Sequence, residues 1–87
     1  MELIYPKPDA RVFIPRDMSG RPGNVIFQLA HQNNDVTVFW HIDGEWVGNT
    51  RKSHVLAVNP PSGKHRLMLI DEHGVVLEQD FEVLPNL

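Results

Sequence analysis

An all-β fold, an antiparallel β-sandwich, is the class that this 87-residue sequence predicts, and three observations lead to it. Ten valines and five isoleucines stand against three alanines, and β-branched side chains suit a pleated, half-buried strand. Seven prolines and six glycines separate short apolar runs, as turns separate strands. No long stretch places apolar residues at the three- and four-residue spacing of an amphipathic helix. The length allows a single domain, residues 1–87, with a thin hydrophobic core.

The first half of the chain predicts four strands, at residues 3–5, 11–14, 25–30 and 36–42. Prolines end the first two, because proline cannot donate to a strand ladder. A turn-rich loop over residues 17–24 precedes the third strand, and a polar loop precedes the fourth. The fourth strand alternates valine, tryptophan and isoleucine on one face, which indicates one buried side. We therefore expect Trp40 to lie in the core.

The Asp-Gly dipeptide at 43–44 predicts a two-residue hairpin turn of type I′. With such a turn, the residues on either side pair in order along the two strands. Trp46 is then expected to point outward beside His41. Val47 is expected to point inward beside Trp40, and residues 48–53 lead out of the hairpin.

The second half predicts further strands at residues 54–58, 63–71 and 75–84. A Pro-Pro-Ser-Gly corner precedes the second of these, and an Asp-Glu-His-Gly turn precedes the last. About seven short strands with frequent turn signals are typical of an immunoglobulin-like or fibronectin-type sandwich. A small barrel is the alternative fold. The residues that we interpret as structural are Trp40, Asp43, Gly44, Gly63, His65, Leu67 and Leu69.

The charge and hydropathy of the chain exclude several classes of function. The formal net charge is −3 and the basic residues are scattered, whereas nucleic-acid binding needs a concentrated basic face. No apolar run approaches the roughly 20 residues that span a bilayer, and no signal peptide opens the chain. We therefore expect no nucleic-acid partner and no direct insertion into a membrane.

The residues that could carry chemistry have structural explanations. The five histidines are separated by 10, 13, 11 and 8 residues, which match no local metal-ligand motif, so we expect no metal and no cofactor. Ser53 and His54 are adjacent, and neighbours on an extended chain point to opposite faces. Asp43 and Asp71 are explained by turns, and His65 by a buried, hydrogen-bonded position after the corner. The chain is therefore not expected to be an enzyme.

An outward apolar cluster is the candidate functional surface. Alternation places Phe39, His41 and Trp46 on the outer side of the hairpin. If the last two strands join this hairpin in one sheet, three more residues extend the cluster. Its members are then Phe39, His41, Trp46, Met68, Ile70 and Val76, a large cluster for a free monomer. Alternatively, the segment at 48–53 or the N-terminal segment folds over it.

Several motifs together resemble a known family over about residues 3–84. They are the Trp-His-Ile-Asp-Gly run at 40–44 with Gly48, the Pro-Ser-Gly-Lys-His-Arg-Leu-Met-Leu run at 61–69, and Asp71 with Gly74. The opening Ile-Tyr-Pro at 4–6 and the closing Phe-Glu-Val at 81–83 also fit. The chain resembles the C-terminal domain of penicillin-binding protein 1C, a bacterial bifunctional peptidoglycan synthase.

The resemblance implies a non-catalytic accessory module. The glycosyltransferase and transpeptidase domains of that family lie upstream, and their Ser-x-x-Lys, Ser-x-Asn and Lys-Thr-Gly motifs do not occur here. The family implies a parent enzyme that is anchored in the cytoplasmic membrane and faces the periplasm. The implied partners are the upstream transpeptidase domain or a periplasmic α2-macroglobulin-like protein.

A docking module for another protein and a glycan-binding module are the two functions that we weigh. Tryptophan and methionine are enriched in protein interfaces, which favours docking through the outward cluster. An exposed Trp46 could instead stack on a sugar of peptidoglycan. Because sugar sites usually offer two or three coplanar aromatic rings and the sequence offers one, we favour docking.

Overall fold

The computed structural model describes residues 1–13, 23–33 and 35–84. Within these ranges the chain forms eight β-strands and no helix. The strands are β1 (Glu2–Tyr5), β2 (Ala10–Val12), β3 (Val25–Ala30), β4 (Thr37–Ile42), β5 (Glu45–Arg51), β6 (Val55–Val58), β7 (Gly63–Asp71) and β8 (Val76–Val83). Ile14 of the second predicted strand lies outside the described residues, as do residues 17–22 of the predicted loop.

The strands form two sheets that pack as a sandwich, which confirms the predicted fold class. One sheet has three strands in the order β1-β3-β6, and the other has five in the order β2-β8-β7-β4-β5. One pairing is parallel, between β2 and β8, and the others are antiparallel. The parallel pair arises because the chain crosses from one sheet to the other after Tyr5 and then continues into β2 beside the last strand.

The core lies between the inner faces of the two sheets, because each strand turns its apolar alternate residues inward. Trp40, Leu67 and Leu69 are fully buried on the five-stranded sheet, where the sequence placed them. Phe27 of the smaller sheet meets Phe81 edge to face, with ring centroids 5.2 Å apart. The buried cluster comprises Leu3, Val12, Val25, Phe27, Leu29, Val38, Trp40, Ile42, Val58, Leu67, Leu69, Phe81 and Val83.

The hairpin turn has the predicted geometry, but the register beyond it differs. Asp43 and Gly44 both have positive φ, at 54° and 83°, as a type I′ turn requires. The register then shifts, so that Trp40 pairs with Gly48 and not with Val47. The inward placement of Val47 was therefore wrong, and this side chain is exposed.

Packing between the sheets explains the shift. The inward position opposite Trp40 faces Leu56, and a Cβ atom added at Gly48 would lie 3.0 Å from Leu56 Cδ1. Glycine fits there without displacing Leu56, and the extra residue is taken up as a β-bulge. β5 then continues to Arg51, so the prediction that residues 48–53 lead away from the hairpin was also wrong.

Candidate functional site

Strand register assembles the outward cluster on the outer face of the five-stranded sheet. Phe39 pairs with Ile70, which pairs with Val76, and these three form one row across the strands. Trp46 pairs with His41, which pairs with Met68, and these three form the neighbouring row. The structure thus brings together all six residues that the sequence nominated, and we call this surface the apolar patch.

The two ends of the apolar patch are its most accessible parts. Trp46 is 62% exposed and Val76 is 50% exposed, and they lie on the outer strands of the patch. The other four side chains are half-buried between them. Residues 48–51 belong to the edge strand β5, and the N-terminal strand β1 belongs to the other sheet. Neither of these segments folds over the patch.

The surroundings of Trp46 and His41 determine how their rings are placed in the apolar patch. The Trp46 indole Nε1 donates a hydrogen bond to Asn49 Oδ1 at 2.7 Å, so the exposed ring is held in one orientation. His41 lies between Trp46 and Met68, and its buried Nδ1 has no hydrogen-bond partner among the described residues. His41 therefore contributes the surface of its ring to the patch.

A charged cluster borders the apolar patch on the same face of the sheet. Arg66 donates to Glu78 Oε2 from Nε at 3.2 Å and to Asp80 Oδ1 from Nη1 at 3.1 Å. Glu78 and then Asp80 raise the pKa of the Arg66 guanidinium. Exposed ion pairs add little stability. Their effect here is to fix the position of charges beside an uncharged surface, since Glu78 pairs directly with Met68.

His65 and Asp43 join the hairpin turn to β7. The His65 side chain is buried, and its Nδ1 is hydrogen-bonded to Asp43 Oδ2 at 2.6 Å. Its Nε2 donates to the carbonyl of Pro61 at 2.6 Å, the upstream backbone bond that its place after the corner suggested. The bond from His65, followed by the backbone N–H of Arg66, lowers the pKa of Asp43. Gly63, which has a φ of 126°, completes the corner.

A buried hydrogen-bond chain, which the sequence did not reveal, crosses the interior near Trp40. The Trp40 indole Nε1 donates to the Thr50 hydroxyl at 2.8 Å, and that hydroxyl is hydrogen-bonded to His54 Nδ1 at 2.8 Å. Burial, together with the charge of nearby His31, lowers the pKa of His54. His54 is therefore bonded to Thr50 and not to the adjacent Ser53. This hydrogen-bond chain was not predicted, because Thr50 belongs to residues 48–53, which were expected to lead out of the hairpin.

Asp71 organises the turn before the last strand from a buried position. Its Oδ1 accepts hydrogen bonds from the backbone N–H groups of His73 and Val75. Its Oδ2 accepts from His31 Nε2 at 3.1 Å, while His31 Nδ1 accepts from the N–H of Asn33. The bond from His31 lowers the pKa of Asp71 most, and burial opposes it. The turn is thereby tied to the loop after β3.

No group of three histidine, cysteine or carboxylate side chains is arranged to hold a metal ion in the part of the chain that the structure describes. In the same part, no helix is long and apolar enough to cross a membrane. The rings of His31 and His54 lie near each other, with centroids 5.9 Å apart, whereas His41 and His65 lie in the separate surroundings described above.

The two sheets and their strand order define a fibronectin-like β-sandwich domain. A fibronectin(III)-like module of CbhA from Clostridium thermocellum has a similar structure, with a TM-score of 0.62 over 95% of this chain and 92% of that chain. Sequence identity is 14%, so the likeness shows the fold alone. A comparison with curated proteins gave no match.

A match along most of the sequence shows the family to which the chain belongs. The model of the Penicillin-Binding Protein C-terminus Family matches residues 1–81, and the chain belongs to this family. This finding confirms the resemblance that the hairpin and corner motifs indicated. A C-terminal domain of a penicillin-binding protein with this fold is a non-catalytic module, and its parent is an envelope-associated protein.

Proposed function

We propose that this domain is the docking module of a peptidoglycan synthase and that its apolar patch binds another protein on the periplasmic side of the cytoplasmic membrane. The resemblance to penicillin-binding protein 1C suggests two partners. One is the catalytic part of the same enzyme, and the other is a periplasmic α2-macroglobulin-like protein. The patch is the observation that carries the proposal.

The composition of the patch supports protein docking over other uses. Its centre holds Phe39, Met68, Ile70 and the imidazole of His41 and no aspartate, glutamate, lysine or arginine, and aromatic and methionine side chains are enriched in interface cores. Trp46 is the expected hot spot, since tryptophan is enriched among residues that dominate binding. The neighbouring charges on Arg66, Glu78 and Asp80 would set the orientation of a partner more than its affinity.

Paired charge insertions test the docking function. Phe39→Glu combined with Met68→Glu places two carboxylates in the middle of the patch, and we expect binding to weaken by at least about a hundredfold. Binding is measured by surface plasmon resonance. The immobilised proteins are the transpeptidase-containing part of the parent and, separately, the α2-macroglobulin-like protein.

Phe13→Glu is the matched control, because Phe13 is an exposed phenylalanine beyond β2, at the other end of β8 from Val76. It should leave binding unchanged. Trp46→Ala should weaken binding without unfolding the domain, because this side chain is largely exposed. If Phe39→Glu with Met68→Glu folds and still binds as tightly, the apolar patch is the wrong surface.

Glycan binding is the second candidate, and the orientation of Trp46 favours it. An exposed indole held by Asn49 presents a flat ring on which a sugar of peptidoglycan could stack. Val76 separates the two functions, because it lies three strands from Trp46, about 14 Å across the sheet. Val76→Glu should impair protein docking and spare glycan binding. Amide shifts confined to residues around Trp46 on titration with soluble peptidoglycan fragments would favour the glycan function.

A further inference from the structure

The outer side of the three-stranded sheet forms a second apolar surface. We call it the small-sheet face, and its members are Ile4, Ile26, Gln28, Ala30, Val55 and Ala57. Ile26 pairs with Ala57 and Gln28 pairs with Val55, so the surface is continuous across the strands. Ile4, Ile26 and Val55 are 47%, 46% and 43% exposed, more open than the centre of the apolar patch.

Charge is nearly absent from the small-sheet face. The outward positions of its three strands include one charged residue, Glu2, which pairs with Ala30 at the margin. The chain as a whole is 22% charged. The outer face of the five-stranded sheet carries Arg11, Lys64, Arg66, Glu78, Asp80 and Glu82. The two outer faces of the sandwich therefore differ in charge: the face of the five-stranded sheet is rich in charged residues, and the small-sheet face is nearly free of them.

The strands of the smaller sheet have the sequence of strands that are covered on both sides. β6 reads Val-Leu-Ala-Val, and β3 carries one polar residue, Gln28, in six. Sheets with one solvated face usually alternate apolar and polar residues, whereas continuous apolar runs occur where both faces are buried. The core covers one side of this sheet. The sequence therefore indicates a second cover on the other side.

The size of the face indicates what kind of cover it can hold. The three strands have four, six and four residues, and at about 4.8 Å between strands and about 3.3 Å per residue they give a flat area of roughly 220 Å². Independent partners that form stable complexes bury about 800 Å² each. Domains joined in one chain pack through smaller interfaces, from about 300 Å² a side, because the linker supplies a high effective concentration. The area is far below what an independent partner needs and is closer to what a tethered occupant buries.

The path of the chain identifies that occupant. Because the family is that of a penicillin-binding protein C-terminus, the neighbouring domain of such a protein leads into β1. β1 is itself an edge strand of the three-stranded sheet, so the chain arrives beside the small-sheet face. We propose that the preceding domain of the same penicillin-binding protein packs on the small-sheet face through a surface of low charge. The apolar patch lies on the other side of the sandwich, so of the two partners proposed for it this inference keeps the separate periplasmic protein and moves the catalytic part of the same enzyme to the small-sheet face.

Cysteine labelling tests this directly, because the chain has no cysteine of its own. Ile26→Cys and Val55→Cys report on the small-sheet face, and Val76→Cys reports on the apolar patch. Each is labelled with a maleimide both in the free 87-residue domain and in the parent polypeptide, and the labelled peptide is quantified by mass spectrometry. We expect labelling at positions 26 and 55 to be at least about tenfold slower in the parent, since a packed interface excludes the reagent. Labelling at position 76 should be unchanged.

Two matched double variants show whether the packing depends on this face. Ile26→Glu with Val55→Glu and Ile70→Glu with Val76→Glu change the same residue types and the same charge on opposite sides. With Ala57→Cys as the reporter, the first pair should restore fast labelling in the parent and the second should not. Melting curves of the free domain check the fold, and Ile26→Thr with Val55→Thr replaces the first pair if it does not fold.

Several results would overturn the inference. Equal labelling of Ile26→Cys in the free domain and the parent would mean that the face is open, and the docking proposal would be untouched. Slow labelling at position 76 alone would place the preceding domain on the apolar patch. Labelling at position 26 that slows as the free domain is concentrated would identify a second copy of the domain as the occupant. Docking that does not depend on the apolar patch would refute the proposed function and leave this inference standing.

Discussion

Replacing Thr50 with valine removes the hydroxyl at the middle of the buried hydrogen-bond chain. That hydroxyl accepts from Trp40 Nε1 and is hydrogen-bonded to His54 Nδ1, each at 2.8 Å. Valine has nearly the same shape, so packing is preserved while two buried polar groups lose their partners. Each unpaired group costs about 1–3 kcal/mol. We expect Thr50→Val to destabilise the domain by about 3 kcal/mol.

That loss is large for a domain of this size. A chain of this length has a free energy of unfolding of roughly 4–13 kcal/mol. A loss of about 3 kcal/mol lowers the melting temperature by roughly 12–24 °C. Thr50→Ser is the control, because it keeps the hydroxyl and removes only a buried methyl group, at a cost of about 1 kcal/mol.

Urea unfolding followed by tryptophan fluorescence measures the effect. The chain has two tryptophans, so the measurements are made in a Trp46→Phe background, where Trp40 is the only reporter. A double-mutant cycle with Trp40→Phe, which lacks the indole N–H, isolates the bond to Thr50; because no tryptophan remains in those variants, the four members of the cycle are followed by circular dichroism. If Thr50→Val is as stable as the Trp46→Phe background, or more stable than Thr50→Ser, the hydrogen-bond chain does not stabilise the fold and the reasoning fails.

Three further predictions follow from the same contacts. Trp40→Ala should cost about 3–5 kcal/mol in urea unfolding, because the side chain is fully buried, and a mild effect would mean that the inner and outer faces are interchanged. Burial and the charge of His31 lower the pKa of His54 from its ordinary value of 6.5. Below pH 6.5, His54 therefore binds a proton more readily in the unfolded chain than in the folded chain. Stability should therefore fall as the pH drops from 6.5, by up to about 1.4 kcal/mol per pH unit, and His54→Gln should remove this component of the unfolding free energy. Asp43→Ala should destabilise the domain by about 1–2 kcal/mol in thermal unfolding, because it loses the bond from His65 and because alanine adopts positive φ less readily than aspartate or asparagine, whereas Asp43→Asn should lose less.

Local features of the chain were predictable, and the hairpin turn shows why. A type I′ turn needs two residues with positive φ, and Asp-Gly meets this need wherever it occurs between strands. The register beyond the turn was not predictable, because the bulge depends on Leu56, which reaches Gly48 from the other sheet. A prediction made from one hairpin contains no information about that contact.

The apolar patch was predictable as a set of residues but not as a surface. Alternation alone places Phe39 and His41 on one side of β4, and Met68 and Ile70 on one side of β7. Whether those sides coincide depends on the pairing of β4 with β7, residues that lie far apart in sequence. The small-sheet face was missed for a simpler reason. Ile26 alternates with the inward residues of β3, and a single apolar residue on the outer side of a strand is common in soluble domains.

The sequence by itself determined the fold class, the turns, the buried face of most strands and the family. These depend on short-range preferences, on the two-residue period of a strand, and on motifs that stand together in the chain. The tertiary structure decided the remainder. It set the bulge that turned Val47 outward, the chain from Trp40 to His54, and the placement of two unlike apolar surfaces on opposite sides of the sandwich. Each of these arises where residues from separate strands meet, and only packing brings them together.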